Sequence, residues 1–354
     1  KGIDYIMAPP RMQRYMDVSV EIYKIYMRYI SPQDIHVYSV DECFMDLTPY
    51  LDFYKKSARE IAQMLMDAVF EATGICATVG LGTNLFLAKI AMDITGKKAQ
   101  DHIGYLDEAL FRKHIWHHKP ITDIWNIGPG IARRLKKHAV DDLCGVTNLP
   151  PEVLYKEFGK NAEYLIDHAY GVEPCSIADI KAYEPKETSL SCGQVLSRDY
   201  SYAEAKTVFR EMVELASLDI VDKGITTGHI SLMVGYKWEV YGQMPSTAKS
   251  HKLPGNTDSF KELWEYFCEL WDASVLEDIP IRRINLGLGN LLPRELMTLS
   301  LFADAEELEA EHKLDQALID IKKKFGKNAV LHAHSLKEEA TMQDRNRQVG
   351  GHRA

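Results

Sequence analysis

Asp41 and Glu42 are adjacent carboxylates inside an otherwise apolar run, residues 37–47, VYSVDECFMDL. Hard divalent cations take carboxylate oxygens, so such a pair can hold a metal if both acids reach one point in space. Regular strand alternation prevents this. It puts Val37, Asp41, Cys43, Met45 and Leu47 on one face and Tyr38, Val40, Glu42, Phe44 and Asp46 on the other. Both faces are mostly apolar, as in a strand covered on both sides, where an unpaired carboxylate is costly. A bend or tight turn at residues 40–42 resolves the conflict by letting both acids emerge together at the sheet rim. The competing reading is the solvated tip of a hairpin, the commoner fate of an acidic dipeptide between apolar runs, and spacing alone favours it.

The other candidate chemistry is cationic. Residues 119–138 carry Lys119, Arg133, Arg134, Lys136 and Lys137 against one acid, Asp123. Within them, Gly128-Pro129-Gly130 precedes a helical pattern, an arrangement in which backbone N–H groups and a helix N-terminus can meet phosphate oxygens. An ordinary turn between helices is the bland alternative. The net charge of −9 argues globally against nucleic acid, but a local basic patch can coexist with an acidic whole. With 46% hydrophobic and 26% charged residues over 354 positions, the chain reads as two to four globular domains. Six cysteines without a CxxC spacing suit reduced, buried thiols. No apolar run approaches transmembrane length and no signal-peptide pattern opens the chain, so a soluble cytoplasmic protein without membrane association is expected.

Several elements must position these groups. Met12, Tyr15, Met16, Tyr23, Tyr26, Met27 and Ile30 recur at helical spacing up to Ser31-Pro32 and read as core. Residues 61–72 form an amphipathic helix stopped by Gly74. A buried strand is expected at 75–81, then a helix from Leu85 to Ile94 bearing Lys89, which reads either as a packed snorkelling lysine or as a phosphate contact. Short helices follow as far as Gly171. Residues 172–187, with two prolines and weak periodicity, read as a linker. A second α/β pattern then has strands at 189–197, 228–236, near 246–252 and at 281–289, and helices at 202–222 and 258–275. Beyond it lie a charged helix at 305–325, stopped by Gly326, and a partly disordered basic end in which His332 and His334 are surface residues.

The segment YSVDECFMDL resembles the YSIDEAFLDL-type motif of Y-family translesion DNA polymerases, the DinB and UmuC group. The resemblance implies an α+β multidomain fold: a palm α/β layer with a catalytic hairpin (1–118), an all-helical thumb with a helix-hairpin-helix (119–171), the linker (172–187), and an α+β little finger with a four-stranded sheet (188–292). A tail (293–354) completes the chain. It implies template-directed synthesis past damaged bases by two-metal phosphoryl transfer, with dNTP substrates and two Mg²⁺ ions. Asp41 would bridge the metals and Glu42 would bind the metal at the primer terminus, while Asp46 is a structural acid, salt-bridged within the palm.

GTNLFLAKIAMD is similar to the family segment beside the nucleotide site, and the following triphosphate lysine corresponds to Lys97, with Lys98 a competitor. Thr95-Gly96 makes this spacing one residue longer than the commonest. The resemblance assigns Gly128, Gly130, Arg133 and Arg134 to the hairpin's grip on primer-template DNA, and Ser191, Arg282 and Arg283 to the little finger's contact with it. Thr298, Leu299, Leu301 and Phe302 resemble the bacterial sliding-clamp motif QLxLF, with Thr298 in the place of Gln. A monomer associated with the nucleoid is implied. The family's first metal-binding Asp, its steric-gate aromatic and its fingers precede the equivalent of Ile3, so a truncated, catalytically incomplete chain that still binds DNA is expected. An inert DNA- and clamp-binding scaffold is the alternative.

Overall fold

A computed structural model describes residues 6, 8, 10–184, 189–237, 245–298 and 305–353. Contacts divide it into two units, one of which is Arg14–Glu184. Most of α1 (Met12–Tyr26) lies in that unit, and the helix stops four residues short of the expected Ile30. Ile25 is buried, but Tyr15 and Met16 are 49% and 42% exposed, so the Met/Tyr pattern is only partly core. The antiparallel strands β1 (Ile35–Val37) and β2 (Cys43–Met45) bracket the acidic pair. Next come α2 (Thr48–Tyr54) and α3 (Ala58–Thr73). A Ser57/Glu60 capping box starts α3, and Gly74, at φ +71°, ends it.

β3 (Val79–Gly82) is parallel to β4 (Ile103–Leu106), with α4 (Leu85–Ile90) between them. The strand expected at 75–81 forms only from Val79 on, and Ile75 and Cys76 are exposed. None of the six cysteines is bonded to another, and none is fully buried. A Cβ added at Gly80 would lie 2.0 Å from the Ala88 carbonyl oxygen, and one at Gly82 would lie 2.2 Å from the Ala88 nitrogen. These glycines let α4 lie directly on β3.

Helices α5 (Glu108–His114), α6 (Pro129–Lys136), α7 (Leu143–Thr147), α8 (Pro151–Phe158) and α9 (Ala162–Tyr170) complete the layer. Phe86 and Ile90 of α4 share one buried cluster with Leu135 and Leu165, so the palm-like layer and the helices beyond residue 119 have a common core. The composition of 172–187 suggests a linker, but α10 (Ile177–Ala182) forms there, started by a Ser176/Asp179 capping box. It packs on β1, and Lys181 donates to the Pro32 carbonyl. A short capped helix leaves too little periodicity to be seen in sequence.

The other unit contains β5 (Ser189–Tyr200), α11 (Tyr202–Asp222), β6 (Ile225–Tyr236), β7 (Ser246–Thr257), α12 (Phe260–Ser274), β8 (Ile281–Gly289) and β9 (Leu292–Pro293). The order β5-β8-β6-β7 makes the expected four-stranded antiparallel sheet, and β9 adds a fifth strand against Ile225 and Thr226 of β6. Helices α11 and α12 cover one face around Phe209, Phe267 and Trp271. α13 (Ala305–Phe325) matches the expected charged helix and ends at Gly326, φ +97°.

The chain after α13 is folded, contrary to the expected partial disorder. It forms α14 (Met342–Arg345) and a hairpin of β10 (Gln348–Val349) and β11 (His352–Arg353). Glu211 of α11 pins it by accepting from the N–H groups of Thr341 and Met342 at 2.9 and 3.1 Å. Among the described residues no helix is long and apolar enough to cross a membrane.

Candidate active site and nucleic-acid interface

The carboxylate pair sits on the turn joining β1 and β2. Strand pairing stops at Val37 opposite Cys43. The Tyr38 and Ser39 N–H groups then both donate to the Glu42 carbonyl at 3.0 Å, closing the turn. The Ser39 hydroxyl donates to Asp41 Oδ1 at 2.7 Å and orients an exposed carboxylate. Glu42 points elsewhere. Both of its carboxylate oxygens accept from Lys89 Nζ of α4, at 2.8 and 2.9 Å. Lys89 also pairs with Asp93 at 3.1 Å, and Asp93 with Lys97 at 2.8 Å. The result is an alternating chain of charge, Glu42–Lys89–Asp93–Lys97.

Burial lowers the basicity of the Lys89 ammonium, but its bonds to Glu42 and Asp93 outweigh this and raise its pKa above the ordinary value. Burial likewise raises the Asp93 carboxyl, and Lys97 and Lys89 outweigh it, so its pKa lies below the ordinary value. Lys89 and Asp93 therefore both stay ionised at neutral pH. Asp41, Glu42, Lys89 and Lys97 line a single cavity of about 480 Å³ whose remaining wall is largely apolar. Lys98 is exposed and is not among the lining residues. After α4 the helix widens into a π turn, Ala91–Thr95. A turn closed by i→i+5 bonds holds one more residue than an α turn, and this one leads directly into the Gly96–Lys98 turn that carries Lys97.

The Lys89–Glu42 contact is missed by both sequence readings of Lys89. The i,i+4 spacing of Lys89, Asp93 and Lys97 was visible on the helix, but the partner 47 positions upstream was not. Asp46 makes no ion pair among the described residues; its Oδ1 accepts from the Thr48 N–H at 2.9 Å, shaping the entry to α2.

Gly128 is the N-cap of α6 at φ −82°, a conformation open to any residue. A Cβ at Gly128 or Gly130 would meet nothing within 4 Å. The turn therefore does not require these glycines for space or for φ, and they leave bare backbone at the N-terminus of α6. Where the expected helix-hairpin-helix has its first helix, the chain forms a single 3₁₀ turn, Ile121–Asp123. Arg133 is exposed, whereas Arg134 donates to the Glu157 carbonyl at 2.6 Å and lies 4.4 Å over the Phe158 ring. Trp125, just before the hairpin, donates from its indole N–H to the Tyr38 hydroxyl at 3.0 Å and so ties the hairpin to the acidic turn.

In the sheet-bearing unit the face opposite α11 and α12 includes a row made entirely of small residues. Ser191, Gly287, Ser231 and Ser250 form one cross-strand row, and Gly193, Asn285, Met233 and Ala248 the next. Ser191 is exposed there. A register shift between Gly235 and Tyr236 lets the adjacent arginines diverge. Arg283 Nε donates to Asn285 Oδ1 at 3.3 Å, and Arg282 lies 3.7 Å from Asp199. Thr298 is exposed; Leu299, Leu301 and Phe302 lie outside the described residues.

The N- and C-terminal profiles of the impB/mucB/samB family match residues 3–93 and 187–301, together more than half of the sequence. The chain belongs to this family, and with it to the bacterial DinB/UmuC type. It is 28% identical over 356 residues to DNA polymerase IV 2 of Bacillus subtilis, covering 98% of this chain and 82% of that protein. It is 27% identical over 354 residues to DNA polymerase IV 2 of Halalkalibacterium halodurans, with 98% and 82% covered. A solved Y-family DNA polymerase chimera of Dbh and Dpo4 superposes with a TM-score of 0.58 at 21% identity, covering 81% of this chain and 79% of that one. That likeness establishes the mixed α+β Y-family fold.

Proposed function

We propose that this protein is a DNA-directed DNA polymerase that carries synthesis past damaged bases in the bacterial cytoplasm, at the nucleoid. The observation that carries the reading is the cavity in which two turn carboxylates and two helix lysines converge in a member of this family. Two Mg²⁺ ions, when bound with a dNTP, would lower the pKa of the primer hydroxyl and neutralise the triphosphate.

The donor set fits such an ion. Among the described residues no cluster of three or more acidic, His or Cys ligands forms, but Mg²⁺ commonly takes one or two carboxylates and fills its shell with water and phosphate oxygens. Asp41, exposed and oriented by Ser39, would bridge both ions, and Glu42 would hold the one at the primer terminus. Lys89 satisfies the Glu42 carboxylate here, and with an ion held by Glu42 its ammonium would remain paired with Asp93. Lys97 directs its ammonium to the triphosphate, held within reach by Asp93.

The hairpin's bare backbone at Gly128 and Gly130, with Arg133, grips DNA phosphate without reading sequence. Arg134 supports that grip by fixing the hairpin to the Phe158 segment. Ser191 and Arg283 on the open face, and Arg282 at its margin, follow the primer-template backbone, where small side chains permit close approach. Thr298, Leu299, Leu301 and Phe302 would dock on a bacterial sliding clamp.

Primer extension by the full gene product on plain and damaged templates tests the reading. Extension that needs Mg²⁺, passes a lesion and is lost in Asp41→Asn is expected. A folded, DNA-binding product that extends neither template would refute it.

A further inference from the structure

Trp125 stands just before the Gly128–Gly130 turn and is rigidly joined to it. The Ile127 N–H donates to the Ile124 carbonyl at 3.0 Å, Asn126 takes the left-handed φ of +66° that suits the third position of such a turn, and Ile124 and Ile127 are buried. The indole is braced from behind. It stacks on His168 at 5.9 Å between centroids, and His168, which lies 2.9 Å from a Glu173 carboxylate oxygen, stacks on Phe86 of α4 at 4.1 Å. In front, the indole meets Phe44 of β2 at 6.1 Å and Tyr38 at 5.8 Å.

Tyr38 belongs to the acidic turn. Its N–H donates to the Glu42 carbonyl, its ring centroid lies 5.9 Å from Lys89 Nζ, and its hydroxyl accepts from the Trp125 indole N–H at 3.0 Å. Among the described residues that is the one hydrogen bond between residues 38–42 and 124–136. The contacts close a ring: Glu42 to Lys89 on α4, Phe86 of α4 through His168 to Trp125, Trp125 to Tyr38, and Tyr38 back to Glu42. In a closed ring no member shifts alone. Stability does not account for the hydroxyl bond, because Tyr38 is 44% exposed and water would serve its hydroxyl as well. What the bond supplies is direction, fixing the indole and the turn behind it against the carboxylate pair.

We propose that Tyr38 and Trp125 are positioning residues, through which the hold of the Gly128–Gly130 turn on DNA phosphate sets the place of the primer end relative to Asp41 and Glu42. This rests on the polymerase reading and adds to it two residues that do not line the acidic cavity. They act through the turn backbone and the DNA grip, not on the reacting groups. A misplacement of about 1 Å can cost about 100-fold in rate, and loss of one directional bond should cost a part of that, about tenfold.

Single-turnover primer extension by the full gene product at saturating DNA and dNTP, measured beside DNA affinity and the urea midpoint, is the test. Tyr38→Phe keeps the ring and removes only the acceptor. It should slow extension about tenfold with DNA Kd held within about twofold and the midpoint unchanged, a split that a merely structural role would not give. Trp125→Phe removes the donor of the same bond, so adding Tyr38→Phe to it should slow extension no further. In chain labelled with ¹⁵N-tryptophan, which has five indoles, the Trp125 N–H signal, assigned by its loss in Trp125→Phe, should move in Tyr38→Phe and when primer-template DNA binds. A wild-type product that extends beside an equally fast Tyr38→Phe overturns the proposal alone. So does slowing that tracks weaker DNA binding or a lower midpoint, a double variant whose losses multiply, or an indole signal that DNA leaves in place. A wild-type product that extends no primer overturns the polymerase reading and the proposal with it.

Discussion

Around Lys89 every half-buried charge meets its opposite, whereas around Glu214 of α11 acid is packed beside acid. Glu42, Lys89, Asp93 and Lys97 alternate in sign, and the attraction outweighs the cost of burial. Glu214 is buried next to Glu211, with its Oε1 3.2 Å from His334 Nε2 on the folded tail. Burial, reinforced by Glu211 and opposed by Arg210, pushes the Glu214 carboxyl up to about 7. Burial, then Arg210, His332 and Lys337, push the His334 imidazole down to about 4. Between about pH 4 and 7 the pair therefore holds its one proton on the carboxyl. In the first region Lys89 and Asp93 keep their charges through opposite neighbours, whereas in the second burial favours the uncharged forms of both partners.

Gly80→Ala should break the first arrangement most severely. Its Cβ would meet the Ala88 carbonyl at 2.0 Å, lift α4 from β3 and carry Lys89 away from the turn. A loss of roughly 3 kcal/mol in urea denaturation is expected. Lys89→Met removes the shared cation and leaves Glu42 and Asp93 facing each other. A loss of roughly 2–3 kcal/mol is expected, and pairing it with Glu42→Gln and Asp93→Asn should recover much of it.

Glu214→Gln should act in the opposite direction. A carboxyl whose folded pKa lies above its unfolded value keeps its proton in the folded state. Wild-type stability therefore falls as pH rises from about 4.5 through 7, and the glutamine variant is spared that fall. A gain of about 1–3 kcal/mol at pH 8, shrinking to near zero at pH 4, should appear in paired denaturation series. Asp93 has the contrary sign. Its depressed pKa contributes stability above the unfolded value that is lost on acidification through the folded one, so Asp93→Asn should flatten the acid limb below pH 4 by about 1 kcal/mol. Smallest in stability is Gly128→Ala, within about 1 kcal/mol because the site is open and φ is −82°, yet DNA affinity should fall.

Much of this was legible wherever signals were local. The pattern of 202–222 marks α11 at its observed bounds, that of 281–289 marks β8, and Gly326 marks the end of α13. The acidic turn was legible because a straight strand could not accommodate it. Lys89–Glu42 was hidden because it joins elements far apart in sequence. The folded tail was hidden because a polar composition gives no sign that a buried Glu211 will satisfy its backbone. The bond from Arg134 to the Glu157 carbonyl was hidden because sequence shows the charge of an arginine and not the backbone it serves.

Mn²⁺ binding to the full gene product with primer-template DNA and a non-hydrolysable dNTP, read by electron paramagnetic resonance, tests the central claim most directly. The alternating-charge account predicts binding that Asp41→Asn and Glu42→Gln each weaken by about tenfold or more and that Glu214→Gln leaves unchanged. Binding unaltered by both turn substitutions would contradict it.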